Sequence, residues 1–269
     1  MTARAIVLVF CALGVVVQGW AQNTDREPPF VTTPMQVVGR MLSLAQTNGE
    51  DLVMDLGSGD GRIVIAAAKT YGAHGVGVEL DPDLVAAARV NARRVGVEQL
   101  TRFVNADVLK TDLSGASVVT AYLLPWLMDA LQPKFLAELA PGTRIVSHAF
   151  PMSGWEPDET ESIRLTGAYE GRTATIYYWV VPAQARGSWR AVRPEGDWRL
   201  EIGQNFQQID VRGAIDDKPF RAPNARLRGV DIEWNSDGGR FSGRVESSRI
   251  VGTLTAGGAK RTIEFTRQE

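Results

Sequence analysis

The feature that most constrains this chain is a glycine-rich turn, Gly57-Ser58-Gly59-Asp60-Gly61, set between two apolar stretches of different period. Before it, Leu52-Val53-Met54-Asp55-Leu56 reads as a buried strand; after it, the Ala-rich residues 62–70 read as a helix. The alternation then repeats. Residues 75–79, 101–105, 117–122 and 143–149 read as strands, and 83–95 and 125–139 as helices, with Pro82 suited to a first helical turn. Ahead of the turn, Met35, Val38, Met41, Leu42 and Ala45 recur at helical spacing, and Asn48-Gly49 ends that helix. Strands alternating with helices predict an α/β, doubly wound open sheet with helices on both faces. Residues 161–166 and 173–181, joined by a turn over 167–171, predict a hairpin that closes the sheet in antiparallel fashion.

After Pro182 the helical period disappears. Short runs at 198–202, 206–211, 225–234, 240–245, 249–255 and 262–266 are split by Gly, Pro, Asn and Asp. That spacing predicts a small all-β C-terminal domain over 187–269, an antiparallel barrel or sandwich. Gly229, Gly243 and Gly252 fall inside strand-like runs, where glycine marks a bend and so predicts curvature. The α/β part is expected over 35–183. Trp155, Trp179, Trp189, Trp198 and Trp234 are expected in cores or between the two parts.

The N-terminus has the form of a secretory signal over residues 1–21. Arg4 precedes an apolar run, 5–17, and Gly19 and Ala21 supply small residues ahead of Gln22. The run is short for a membrane span. An uncleaved anchor, with membrane proximity, is the alternative. Either way the rest of the chain is expected to be exported, periplasmic or envelope-associated. Residues 22–34 are polar and carry Pro28, Pro29 and Pro34, as in a linker that becomes an ordered lid. The one cysteine, Cys11, lies within the signal, so the mature chain would have no disulfide, thiolate ligand or thiol nucleophile. With 29 Lys and Arg against 31 Asp and Glu, the net charge of −2 gives no case for a nucleic-acid partner. The composition carries no signal for oligomeric order.

The turn after the first strand is where the chemistry concentrates. Its spacing is G-x-G-x-G, with Arg62 where the dinucleotide fingerprint has its third glycine, and it lacks the Lys-Ser/Thr pair of a triphosphate loop. Asp55, ahead of Gly57, favours a cationic ligand and repels a pyrophosphate. Glu79 ends the second strand, placed to accept from two ribose hydroxyls. Asp107 follows the third strand, placed to accept from an adenine amino group. Three acids at three successive strand ends, at the edge where open α/β sheets bind ligands, match S-adenosylmethionine, which has no phosphate. The loop backbone of Gly57, Ser58, Gly59 and Gly61, with Arg62, would cradle it. No metal site is read from the sequence.

At this point a family is identifiable. Asp55 to Arg62 with Glu79 and Asp107 resembles class I S-adenosylmethionine-dependent methyltransferases. The runs DLGSGDGRIVIAAAK (55–69), GVGVELDPDLVAAARVNARR (75–94), YLLP (122–125) and LAPGTRIVSHAF (139–150) resemble the family of the lysine methyltransferases that act on the mitochondrial ATP synthase c-subunit and adenine nucleotide translocase. PPFVTTP (28–34) is similar to that family's segment ahead of the core. The resemblance covers 28–181 and not 187–269. It implies a seven-stranded sheet ending in a hairpin, S-adenosylmethionine as cofactor held by Asp55, Gly57, Gly59, Glu79 and Asp107, and a protein lysine as acceptor.

Methyl transfer from a sulfonium is an in-line displacement that needs an aligned, unprotonated nucleophile. The acceptor is expected at the end of the fourth strand, where Tyr122 and Pro125 bound YLLP and where desolvation would help a lysine lose its proton. Trp126 and Tyr122 have an equal claim as packing residues. Cytosine C5 transfer lacks its cysteine, the polar-Pro-Pro-aromatic loop of nucleic-acid amino methylation is absent, and Asp129 alone is too few acids for metal-dependent oxygen methylation. His74 reads as surface, and His148, ending the fifth strand at the ligand edge, as a histidine satisfied by neighbours, with a proton acceptor as the alternative. Two other functions stay open: transfer to a small molecule, and a non-catalytic envelope protein whose β-domain does the binding.

Overall fold

The computed structural model describes residues 31–193 and 196–268. The proposed signal, 1–21, and most of the linker, 22–30, lie outside the described residues. Helix α1 (Met35–Leu44) precedes β1 (Leu52–Leu56), α2 (Arg62–Tyr71), β2 (His74–Glu79), α3 (Pro82–Arg94), β3 (Thr101–Asn105), β4 (Val118–Ala121), α4 (Pro125–Glu138), β5 (Arg144–His148), β6 (Glu159–Arg164) and β7 (Thr173–Val180). The seven strands form one sheet in the order β3-β2-β1-β4-β5-β7-β6. β1 pairs in parallel with β2 and β4, and β7 runs antiparallel to β5 and β6. The expected doubly wound sheet with a closing hairpin is therefore the fold.

Side chains alternate across the sheet, so neighbouring residues of one strand enter different cores. Val53 and Val118 pack with Val38, Met41 and Leu42 of α1 and Ile63 and Ala67 of α2. Met54 and Val119 pack with Met128, Leu131 and Phe135 of α4 and with Trp155 and Trp179. Asp55 falls in the first series, on the α1 and α2 face. Helix α3 starts where Asp81 accepts a hydrogen bond from the Asp83 N–H at 2.8 Å, ahead of Pro82.

The C-terminal strands are β8 (Gly187–Arg193), β9 (Gly196–Asn205), β10 (Gln208–Ile215), β11 (Lys218–Ala222), β12 (Arg226–Arg228), β13 (Asp231–Ser236), β14 (Gly239–Val245), β15 (Arg249–Ala256) and β16 (Ala259–Arg267). They form one antiparallel nine-stranded sheet, β11-β10-β9-β8-β16-β15-β14-β13-β12. The sheet curls, bringing β11 against β13 and β10 against β12. Its inner face holds Trp189, Trp198, Trp234, Phe241 and Phe265. The curvature expected at Gly243 and Gly252 has a steric basis: they are cross-strand partners, and a Cβ on either would lie 2.8 Å or less from the Phe241 ring. Gly229 differs from expectation. The run 225–234 is two strands, and Gly229 sits in the turn between them at φ +58°. There its carbonyl accepts from Ala183 N–H at 2.8 Å, tying the turn to the segment between β7 and β8. Among the described residues no helix is long and apolar enough to cross a membrane.

Candidate functional site

The ends of β1, β2, β3, β4 and β5 converge on the site. β1 leaves the sheet at Leu56, and the next two amides, Gly57 and Ser58, both donate to the Val78 carbonyl at 2.8 and 3.0 Å. Gly57, Gly59 and Gly61 take φ of +76°, +52° and +81°, a region costly for any residue with a Cβ. Close approach adds to that requirement. A Cβ at Gly57 would lie 2.8 Å from Leu123 Cδ2, and one at Gly61 2.7 Å from the Phe103 ring. The loop is thus bare backbone pressed between the β4 end and β3, and it delivers the N-terminus of α2 to the sheet edge.

Asp55 lies beneath this loop, 2% exposed. Thr120 Oγ1 donates to its Oδ1 at 2.7 Å. Burial pushes the Asp55 carboxyl up to about 7; the Thr120 hydrogen bond opposes the rise, and the negative charges of Glu79 and Asp60 add to it. Glu79 is clamped by backbone amides. Gly59 N–H donates to Oε2 at 2.8 Å, and Leu80 and Asp81 N–H donate to Oε1 at 2.8 and 3.0 Å. One carboxylate therefore couples the glycine loop to the start of α3, in a fixed orientation. Asp107 sits one strand further on, accepting from Leu109 N–H at 2.9 Å and lying 3.5 Å from Lys110 Nζ.

The other side chains of the loop turn away from Glu79. The Ser58 hydroxyl is buried, has no hydrogen-bond partner among the described residues, and is turned onto Gly77, where a Cβ would lie 2.6 Å from it. Arg62 forks onto Asp60 at 2.9 and 2.6 Å and donates to the Thr33 carbonyl at 2.9 Å. Burial works against the Asp60 charge, yet the Arg62 hydrogen bonds and charge outweigh it and hold that carboxyl below the usual range. Arg62 so pins the segment ahead of α1 to the glycine loop.

On the β4 and β5 side, Tyr122 is half-buried, Pro125 opens α4 and is exposed, and Trp126 is 61% exposed. The Tyr122 ring lies 4.2 Å from that of His148 and 6.2 Å from Phe150, stacked on the latter. His148 is buried, with Nδ1 3.3 Å from Thr33 Oγ1. Burial pushes its pKa down to about 4, so the ring is neutral at neutral pH. His74 is exposed at the start of β2. Asp129 is engaged by Ser153, whose N–H and hydroxyl donate to it at 2.6 and 2.8 Å.

Two residues beside the site escape the sequence reading. Leu80, directly after Glu79, is 63% exposed, an apolar surface beside the clamped acid. The pattern Glu-Leu-Asp-Pro, an apolar residue between a strand-end acid and a helix cap, is the signal that marks it. Thr33 links Arg62 to His148, and nothing local in the sequence marks it.

The site fits S-adenosylmethionine. The bare loop admits a ligand against backbone, the rim is acidic, and Asp55 is a carboxyl whose ionised form a cation would favour. A family model described as the ANTKMT methyltransferase domain matches residues 55–159. A protein-lysine N-methyltransferase of Saccharolobus islandicus is 40% identical over 155 residues, 57% of this chain and 93% of its own length. The adenine nucleotide translocase lysine N-methyltransferase of Mus musculus is 38% identical over 129 residues, 48% of this chain and 56% of its own. Among solved structures, an RNA methyltransferase from Salinibacter ruber in complex with S-adenosyl-L-homocysteine is similar, with a TM-score of 0.53 and 49% identity over 57% of this chain and 95% of that one. The glycine cradle, the acids at successive strand ends and the near-complete span of the Saccharolobus relative lead to one conclusion: the chain belongs to the family of S-adenosylmethionine-dependent protein-lysine N-methyltransferases.

Proposed function

We propose that this protein transfers a methyl group from S-adenosylmethionine to a lysine amine of a protein, and that it works outside the cytosol. One observation carries the reading: the glycine loop, the backbone-clamped Glu79 and Tyr122 converge at one sheet edge in a chain of this family. The bound cofactor supplies an electrophilic methyl on a sulfonium. Glu79 would hold its ribose hydroxyls, Leu80 would face its adenine, and Asp107 would accept from the adenine amino group. The backbone of Gly57, Gly59 and Gly61 would border its amino-acid part. Asp55, ionised beside a cation, would contribute a matching negative charge.

Tyr122 and the backbone of 122–124 orient the amine, and α4 starts at Pro125 so that this stretch stays extended ahead of the helix. His148, neutral and held by Thr33 and Tyr122, fixes the Tyr122 ring. The apolar surroundings, Leu123, Leu124 and Phe150, favour the uncharged amine over the ammonium. The export reading rests on the N-terminal signal pattern, and the acceptor would then be an envelope protein.

Tritiated S-adenosylmethionine, mixed with an envelope extract and the purified protein, tests the proposal. The expected result is label that survives ribonuclease, is lost to protease and co-migrates with methyllysine on hydrolysis, with none transferred by Asp55→Ala. Label in RNA or in small molecules, or no S-adenosylmethionine binding below about 1 mM, would overturn it. Intact mass and cell fraction of the native protein test export: cleavage before Gln22 supports it, and a full-length cytosolic chain defeats it.

A further inference from the structure

Two-residue hairpin turns favour glycine or Asn/Asp where φ is positive. The C-terminal sheet follows this at Asp216-Asp217 and at Gly257-Gly258, all four residues at positive φ. The turn between β9 and β10 does not. It is Phe206-Gln207, with Phe206 at φ +53°. A bulky residue held in this region marks a backbone constrained by something other than turn preference.

That constraint lies in the other sheet's loop. Phe206 stacks on Trp155 with ring centroids 5.2 Å apart and planes 5° from parallel. Gln207 completes the grip from both ends: its Oε1 accepts from Trp155 Nε1 at 2.9 Å, and its Nε2 donates to the Glu156 carbonyl at 2.6 Å. Trp155 is fully buried, and its own carbonyl accepts from Trp179 Nε1 at 2.9 Å. The loop so held, 149–158, begins at the edge where the site lies. It carries Phe150, stacked on Tyr122, and Ser153, bonded twice to Asp129 of α4. An unbroken set of contacts runs from the tip of the C-terminal sheet to Tyr122 and the first turns of α4.

We infer that the β9–β10 turn is a positioning element for the acceptor side of the site, with Phe206 and Gln207 acting through the 149–158 loop on Tyr122. The inference rests on the reading above that Tyr122 faces the acceptor. It gives the C-terminal sheet a role beyond adhesion between domains. A second junction provides the comparison: Arg228 lies over the Tyr178 ring of β7 at 5.9 Å, beside Asp158, at the opposite end of the loop from Phe150.

Hydrogen exchange by mass spectrometry on the full chain, with S-adenosylhomocysteine affinity measured by calorimetry, tests it. In Phe206→Ala, amides of 149–156 and of 122–128 should exchange about tenfold faster. Phe206→Trp and Arg228→Ala should stay within about twofold of the wild type. Affinity for S-adenosylhomocysteine should hold within about twofold in every variant, because the loop of Gly59 and Glu79 is untouched. Gln207→Ala, which keeps the ring stack, should give a smaller acceleration over the same segments and carries the test if Phe206→Ala does not fold. Exchange unchanged in both Phe206→Ala and Gln207→Ala, or matched by Arg228→Ala, would overturn the inference. Failure of the wild type to bind S-adenosylhomocysteine would instead defeat the methyltransferase reading, and the exchange pattern would still show whether the turn steers the loop.

Discussion

Asp55→Asn isolates the most perturbed acid of the site. In the folded protein the Asp55 carboxyl titrates at about 7, against 3.8 for the free side chain. A folded value raised above the unfolded one gives stability that is complete below the unfolded value and is lost as pH rises through the folded one. Each pH unit inside that window is worth about 1.4 kcal/mol, tapering as the folded group itself ionises, so the interval from pH 5 to pH 7 amounts to roughly 2 kcal/mol. Wild-type stability should therefore fall by about that much across the interval through this group. Asp55→Asn keeps the size, cannot ionise, and should lack that component. Urea unfolding at pH 5, 6, 7 and 8 for both proteins measures it: the difference between them should widen with pH and level off near pH 8. The same group makes binding of the cationic cofactor release a proton, so S-adenosylmethionine should bind tighter as pH rises through 7, and the neutral S-adenosylhomocysteine should respond less. Parallel stability profiles from pH 5 to pH 8 would refute the reasoning, because they would mean Asp55 ionises in the fold as it does in water.

Four further outcomes follow from contacts already described. Glu79→Gln keeps the size but replaces one acceptor oxygen among three amide donors, and should weaken S-adenosylhomocysteine binding by about 10- to 100-fold in calorimetry while the fold survives. Gly57→Ala places a methyl 2.8 Å from Leu123 Cδ2 at φ +76°, and should cost about 1–3 kcal/mol of stability in denaturant unfolding along with most cofactor affinity. Arg62→Ala frees the Thr33 carbonyl, so limited proteolysis should cut near 31–34 more readily than in the wild type, with Asp60 titrating closer to its ordinary range by NMR. Gly243→Val drives a side chain into the Val251 carbonyl and Gly252, each under 3 Å from its Cβ, and should destabilise the C-terminal sheet by at least about 3 kcal/mol, seen as loss of its tryptophan near-UV signal.

The parallel half of the fold is legible because its signals are local. Alternating periods, a Pro at the start of α3 and glycine where φ must be positive all act within a few residues. The C-terminal sheet is legible in class and less so in detail. The strand runs read from sequence omit β8, although Ser188, Trp189, Arg190 and Ala191 alternate across it, and omit β11; Gly229 reads as a bend within a strand when it lies between two. Nothing local distinguishes a glycine that bends a strand from one that closes a turn, since both need only a missing Cβ.

Residue types and their order along the chain determined the sheet, the glycine cradle and the acids at its edge, because strand ends in an open α/β sheet fall at predictable intervals. What each group is paired with came from the packing of the whole fold. It turns the Ser58 hydroxyl onto Gly77, engages Arg62 with Asp60 and Thr33, buries Asp55 until its carboxyl holds a proton near neutrality, and places Phe206, about fifty residues away in sequence, against Trp155. Desolvation and long-range contact depend on what the whole chain packs around an atom, and no window of sequence contains that information.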